Sequence, residues 1–330
     1  MSDQIGLIIL GAGKAGRQHA FAAQRVSTIK LLGFYDTVQN ASESAASEFN
    51  ATSFSDLDDA FDHPGANIAL IATPPGTHGE LALKALEADL HVLIEKPFDT
   101  ALGMIAAVQE LAQCKGLQAG AIAQHRFADD VVMLQQVISR GLSGNVLSAS
   151  VHVQRYRPPE YFQMRAGNWR QSVDLMGGGV LITIGFHYLD LACWMLGPAT
   201  DARGRFGEES NGIELAVVGT FNLNNVPCSV HARWGEVPNA KDKLQIVTSE
   251  QSIELIGDRL VGNPDSQEVD RFELHARQLR DFASAIVEGR SPLVTPLDVE
   301  PPLRLVQELY ETARGPNSGQ AIKRERQVNV

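Results

Sequence analysis

The chain has 330 residues, 44% of them hydrophobic, and a formal net charge of −11. That length suits two domains with sizeable cores. The negative balance disfavours nucleic acid and anionic membrane surfaces as partners, and no run approaches the roughly 18 apolar residues of a membrane span. Met1-Ser2-Asp3-Gln4 lacks the basic start of a signal peptide. The three cysteines, Cys114, Cys193 and Cys228, show no C-x-x-C spacing, so reduced thiols and a cytoplasmic location are expected. The histidines show no ligand spacing with other donors, so no metal site is expected.

Ile5 to Leu10 is a short apolar run that reads as a first strand. Gly11-Ala12-Gly13-Lys14-Ala15-Gly16 follows at once, and then a helix-like stretch. This is G-x-G-x-x-G between strand and helix, the setting in which the pattern binds a dinucleotide. Gly11 permits the tight turn, Gly13 the approach of a pyrophosphate, and Gly16 close helix packing. The free amides at the helix start attract phosphate charge. Lys30 to Tyr35 reads as the second strand and ends in Asp36, at the distance where a carboxylate accepts from the ribose hydroxyls and repels a 2′-phosphate. Thr37 to Asn40 offers no Arg or Lys for that phosphate, so the expected cofactor is NAD, with NADP disfavoured. Lys14 does not make a P-loop, because Ala15 stands where Ser or Thr is needed; it reads as a solvated lysine near the phosphates.

Ala41 to Phe49 is helix-like, Ser53 to Phe61 a short amphipathic piece, and Asn67 to Ala72 a strand. Thr73-Pro74-Pro75-Gly76-Thr77-His78 follows at its carboxyl end, where open parallel sheets bind ligands; Thr73, Pro74 and Pro75 are therefore cofactor candidates. His78 could donate a proton, but a helix-start or cofactor-flanking role fits better. Gly79 to Ala88 reads as helix and His91 to Ile94 as the next strand. The alternation points to a doubly wound parallel sheet. The strand ends in Glu95-Lys96-Pro97. A lysine there is placed for proton transfer, provided its ordinary pKa of about 10.4 is lowered; burial and an oxidised nicotinamide would both lower it. On spacing alone an exposed lysine at a strand end is the better reading. Pro97 fixes the turn and can carry a cis bond.

The glycine turn, Ala72-Thr73-Pro74-Pro75 with His78, and Glu95-Lys96-Pro97 together resemble the Gfo/Idh/MocA oxidoreductase family, over nearly the whole chain. The resemblance implies that Lys96 contacts the reacting hydroxyl and helps to position or deprotonate it, with Glu95 and Lys96 beside the cofactor. It implies an α/β Rossmann domain over residues 1–124 and, over 125–330, an α+β substrate domain with a large, mostly antiparallel sheet. One sheet face would cover the cofactor crevice. The other would form a subunit interface, giving a homodimer or homotetramer. The change of domain falls in Gln124-His125-Arg126-Phe127, which follows a helix from Thr100 to Cys114 and a strand from Leu117 to Ala123. His125 counts as a substrate-binding candidate.

Ala128 to Arg140 reads as helix and Val146 to Tyr156 as a long strand. A loop-rich insert from Arg157 to Arg170 follows, and the region offers Tyr156, Tyr161, Asn168, Trp169 and Arg170. Tyr156, Trp169 and Arg170 are substrate candidates. Arg170 could hold a carboxylate or phosphate or make a surface salt bridge; Trp169 reads as core more readily than as a sugar platform. Gly177-Gly178-Gly179 lets backbone approach a ligand or partner closely. In the helix after it, Thr183 and His187 share one face. The resemblance implies an Asp at position 183 and a His at 187, both directed at substrate. His187 keeps the pattern and is expected to act on the proton with Lys96. Thr183 departs from it, since a hydroxyl cannot serve as a carboxylate base. Asp190, one turn on, suits packing or orientation.

Strands are expected at Glu214–Leu223, Pro227–Trp234, Lys243–Thr248 and Ser252–Ile256, helices at Phe272–Glu288 and Val299–Ala313, and a polar tail over 315–330 that can pack on the first domain. The combined reading is an NAD-dependent oxidoreductase acting on a secondary alcohol of a polyol, sugar, cyclitol or nucleotide-sugar. One alternative is a reductase running the other way; another is a dinucleotide-binding sensor of the same fold without turnover.

Overall fold

The computed structural model describes residues 4–156, 169–210, 212–235 and 241–315. In chain order the strands and α-helices are β1 (Ile5–Leu10), α1 (Lys14–Ala23), β2 (Ile29–Tyr35), α2 (Gln39–Phe49), β3 (Thr52–Phe54), α3 (Leu57–Phe61), β4 (Ala66–Ile71), α4 (His78–Glu87), β5 (His91–Ile94), α5 (Gly103–Lys115), β6 (Ala119–Ala121), α6 (Asp129–Ser139), β7 (Val146–Tyr156), α7 (Val173–Met176), α8 (Phe186–Leu196), β8 (Ala199–Ser210), β9 (Ile213–Leu223), β10 (Val226–Gly235), β11 (Lys243–Thr248), β12 (Ser252–Ile256), β13 (Arg259–Leu260), α9 (Arg271–Glu288) and α10 (Glu300–Arg314). They form two compact units.

The first unit holds residues 4–124 and 270–298. Its six strands run in the order β3-β2-β1-β4-β5-β6, every pair parallel. Leu7 to Leu10 and Ile68 to Ile71 are wholly buried, as a strand covered on both faces requires. The order reverses between β1 and β4, where Leu10 pairs with both Tyr35 and Ile71, and Ile71 with Ile94. The residues that follow these strand ends are Gly11, Asp36, Ala72 and Glu95; those after β1 and β4 flank the switch point of a doubly wound sheet and the other two lie one strand to either side. The expected single piece over 53–61 is instead β3 followed by α3, whose N-cap Asp56 accepts from the Asp58 amide at 2.7 Å; the short strand was hidden because its three residues extend an existing sheet edge. The chain passes to the second unit after Gln124, but 270–298 returns to the first. This corrects the expectation of a continuous second domain from 125 to 330. The return is held by Gln278, whose amide donates to Ala121 O (2.7 Å) and accepts from Ala123 N–H (3.1 Å), continuing the pattern of a strand beyond β6. Ala276, Leu279, Phe282 and Ala283 of α9 share one core with Ala20, Ala22 and Ala23 of α1.

The second unit holds residues 125–269 and 299–315. Its seven strands lie in the order β13-β12-β11-β7-β10-β9-β8; β7 and β10 are parallel and the other pairs antiparallel. β8 was not expected: its charged, glycine-containing sequence lacks apolar alternation, which an edge strand can forgo. Val173–Leu196 is long and apolar enough to cross a membrane, which corrects the statement that no such run exists; most of it is buried within this unit, and it is interrupted at Gly177–Gly179, with a π-helical stretch over Leu181–Gly185 before α8. The expected polar tail beyond 315, and Tyr161 and Asn168, lie outside the described residues.

Candidate functional site

In the first unit the turn from β1 into α1 is built on short contacts. A Cβ at Gly16 would meet Gly11 O at 1.9 Å, and Gly11 itself has φ +99°. A Cβ at Gly13 would meet nothing within 4 Å; that glycine faces open space, as a backbone that must admit a pyrophosphate requires. Ala12 is buried, Ala15 half-buried and Lys14 exposed. No acidic residue lies in the first turn of α1, and no side chain caps it, so its amides are available to an anion. Asp36 accepts from Ala12 N–H at 2.8 Å and from Val38 N–H at 2.9 Å. These residues fit an NAD: the α1 amides for the pyrophosphate and Asp36 for the adenosine ribose.

The loop after β4 is tied to the loop after β5. Thr73 Oγ1 and Thr77 Oγ1 are 2.8 Å apart, and Thr77 Oγ1 donates to Pro74 O at 2.7 Å. Pro74 is half-buried and Pro75 buried. His78 opens α4, is 1% exposed, and turns one ring nitrogen to Thr73 O (2.8 Å) and the other to Pro97 O (3.0 Å). It therefore clamps the two loops from within rather than standing at their surface. Asp99, wholly buried, accepts from Gly79 N–H and Ala101 N–H, fixing the far side of the same turn. The Lys96–Pro97 bond is cis, and Lys96 is half-buried.

Glu95 supports the lysine from behind. Its Oε1 accepts from His19 Nε2 at 2.7 Å and its Oε2 from Lys96 N–H at 2.8 Å. Burial alone would raise its pKa; the His19 hydrogen bond and the charges of His19, Lys96 and His275 outweigh it and hold the carboxyl at about 2. His275 stacks edge-on against His19, with centroids 4.8 Å apart. The candidate ligand atoms of His19, Glu95 and His275 lie within 4.8 Å of one another, a set that only the fold assembles from α1, the residue after β5, and α9. Two N–H donors already occupy the carboxylate, so the cluster reads as a hydrogen-bonded support for Glu95-Lys96.

In the second unit, the glycine run serves internal packing. A Cβ at Gly179 would meet Glu214 O at 1.9 Å, and one at Gly178 the Tyr310 hydroxyl at 2.4 Å. Glu214 is wholly buried and accepts from Gly179 N–H (2.5 Å), Leu181 N–H (2.9 Å) and Tyr310 O–H (2.7 Å). Burial raises its carboxyl pKa against the pull of those bonds. This corrects the expectation that the glycines admit a ligand or partner: what they admit is Glu214 and Tyr310, which brace the start of the helix carrying Thr183 and His187.

His187 lies in the first turn of α8, half-buried. His125, from the short turn at Gln124–Phe127, meets it edge-on with centroids 4.6 Å apart. Arg126 and Asp190, both buried, form a two-point pair at 2.9 and 2.6 Å, so the turn carrying His125 is fixed to the helix carrying His187. Asp258, in the turn between β12 and β13, accepts from His125 Nδ1; sequence reading gave no sign of it, because an isolated Asp after a glycine looks like any turn residue. Thr183 Oγ1 donates to Gly179 O at 2.6 Å. Arg170 lays its guanidinium over the Trp169 ring at 4.3 Å, and both are half-buried. Tyr156, at the end of β7, is 43% exposed.

Residues 5–122 match the family model described as "Oxidoreductase family, NAD-binding Rossmann fold", and residues 131–254 the "GFO/IDH/MocA C-terminal domain". The chain is 30% identical over 189 residues to the glucose-6-phosphate 3-dehydrogenase of Bacillus subtilis (strain 168), spanning 57% of this chain and 52% of that protein; it thus aligns with about half the length of that relative. It is 24% identical over 324 residues to the scyllo-inositol 2-dehydrogenase (NAD(+)) of the same organism, spanning 90% and 91% of the two chains. The WlbA dehydrogenase from Bordetella pertussis, solved with NADH and UDP-GlcNAcA, shares the fold at a TM-score of 0.85 and 20% identity, covering 95% of this chain and 96% of that one.

Proposed function

The chain belongs to the Gfo/Idh/MocA oxidoreductase family, and on that premise we propose that it is an NAD-dependent dehydrogenase oxidising a secondary alcohol of a sugar, cyclitol or nucleotide-sugar. The observation that carries this reading is Lys96 just past the carboxyl end of β5, one strand from the sheet's switch point, with its backbone held by Glu95. Bound NAD would supply the hydride acceptor. Asp36 and the α1 amides hold the adenosine half, and Asp36 selects against a 2′-phosphate. Lys96 takes the hydroxyl proton, with His187 sharing the work, as the carbinol carbon gives up its hydride and becomes a ketone. The names of the two Bacillus relatives, a sugar-phosphate dehydrogenase and an inositol dehydrogenase, support a polyhydroxylated substrate. One face of the seven-stranded sheet serves as the subunit interface of a homo-oligomer.

Thermal melts with NAD and with NADP, each with and without sugars, inositols and UDP-sugars, test the reading, because a ligand of the folded state raises the midpoint with its occupancy. An NAD shift enlarged by one sugar class supports it. An NAD shift that no sugar changes favours a sensor without turnover instead.

A further inference from the structure

The resemblance leads one to expect a carboxylate at position 183, and Thr183 directs its hydroxyl proton back to Gly179 O, four residues earlier in the glycine run before its helix. Yet the second unit holds a carboxylate close to His187 by another route. Asp258 accepts from His125 Nδ1, and the His125 ring stands 4.6 Å from that of His187. The arrangement is built rather than incidental. Arg126 locks the His125 turn to Asp190 of α8. The turn that carries Asp258 is held by Gly257 N–H, which donates to Asp242 O at 3.1 Å, and by Tyr188 O–H, which donates to Gly257 O at 3.5 Å. Asp258 and His125 keep 23% and 18% of their side-chain surface exposed, so both are accessible yet fixed.

We propose that Asp258 supplies the carboxylate of this site through His125, which thereby becomes a third proton-handling residue beside Lys96 and His187. The inference rests on the dehydrogenase reading and deepens it. A carboxylate that accepts from Nδ1–H fixes the tautomer, leaves Nε2 as the basic nitrogen and stabilises the imidazolium formed when that nitrogen takes a proton. Here the proton taken is the one released from the substrate hydroxyl; the hydride goes to NAD, and no other reactant is needed. The charged and titratable groups around His125 are Asp258, His187, Tyr188 and Asp242, with Arg155 paired to Asp242 at 2.5 Å. Asp258 is a positioning residue in this scheme and His125 a catalytic one. A carboxylate can reach the site from a distant turn as readily as from the helix, so the departure at 183 does not remove acid–base capacity.

The test uses the full-length protein with 15N-labelled histidine, in the wild type and in Asp258→Asn. In alkaline buffer the wild-type His125 signal is expected to show a protonated Nδ1 and an unprotonated Nε2, and Asp258→Asn to lose that fixed tautomer. With the sugar identified by the melt panel, Asp258→Asn should lower kcat by about tenfold to a hundredfold, the lower part of the range for acid–base groups and below. The acidic limb of its pH profile, which reports the essential base, should move, and the NAD-induced rise in melting midpoint should stay unchanged. Asp258→Glu should restore part of kcat. A wild-type His125 carrying its proton on Nε2, or an Asp258→Asn enzyme with wild-type kcat and pH profile, would overturn the proposal. Because the tautomer is read without substrate, a protein that oxidises no sugar in the panel refutes the dehydrogenase reading separately from the His125–Asp258 pair.

Discussion

The carboxylate of Asp36 accepts the Ala12 amide proton at 2.8 Å, binding the end of β2 to the glycine turn after β1. In the proposed function the same carboxylate also receives the ribose hydroxyls, which gives one side chain both roles. Asp36→Ala should weaken NAD by about tenfold or more, the scale of a lost hydrogen bond to a charged group, and should narrow the preference over NADP. Titrating both nucleotides into the variant checks this. An unchanged preference would contradict the ribose role.

Glu95 makes an acid-stability prediction. Its folded pKa is held near 2, below the ordinary 4.5. A depressed carboxyl stabilises the fold above its unfolded pKa and loses that contribution as pH falls through the folded one. A shift of this size corresponds to about 3 kcal/mol. In denaturant melts the wild type should therefore lose stability faster than Glu95→Gln as pH drops from about 4.5 toward 2. Parallel pH dependences for the two proteins would remove Glu95 from the account.

Glu214→Ala leaves Gly179 N–H, Leu181 N–H and Tyr310 O–H without their buried acceptor. Each such group costs about 1–3 kcal/mol, so the variant should be destabilised by several kcal/mol. Glu214 has the opposite sign to Glu95: its pKa is raised by burial, so its contribution is present below its unfolded pKa and falls as pH rises through the folded one. Chemical denaturation of the variant across pH checks both statements.

Light scattering on the purified protein should give a multiple of the 35.8 kDa chain mass. A single-chain mass at micromolar concentration would contradict the proposed interface on the second sheet.

The parts legible in the sequence were those whose chemistry is local. Gly11 to Gly16 and Asp36 announce themselves because the turn, the helix start and the strand end sit at fixed short separations. β7 was visible in its β-branched and aromatic run. What escaped depends on distant partners. β8 carries charge and glycine where an expected strand would alternate, and it survives as an edge held by β9 and α10. The return of residues 270–298 to the first unit follows from Gln278 completing the β6 edge, a contact across more than 150 positions. The glycine run at 177–179 looked like a ligand cradle, since close approach is readable from composition but its partner is not; Glu214 and Tyr310 occupy it. Asp258 meets His125 across 133 positions of chain, a contact that no local pattern announces.

The most direct test of the central claim is the appearance of NADH when purified protein meets NAD and the sugar panel, run beside Lys96→Ala. The expected result is turnover of at least one polyhydroxylated substrate by the wild type, and a loss of about two to four orders of magnitude in Lys96→Ala, the range for a removed acid–base group, with the NAD-induced melting shift retained. Turnover by Lys96→Ala at the wild-type rate would contradict it.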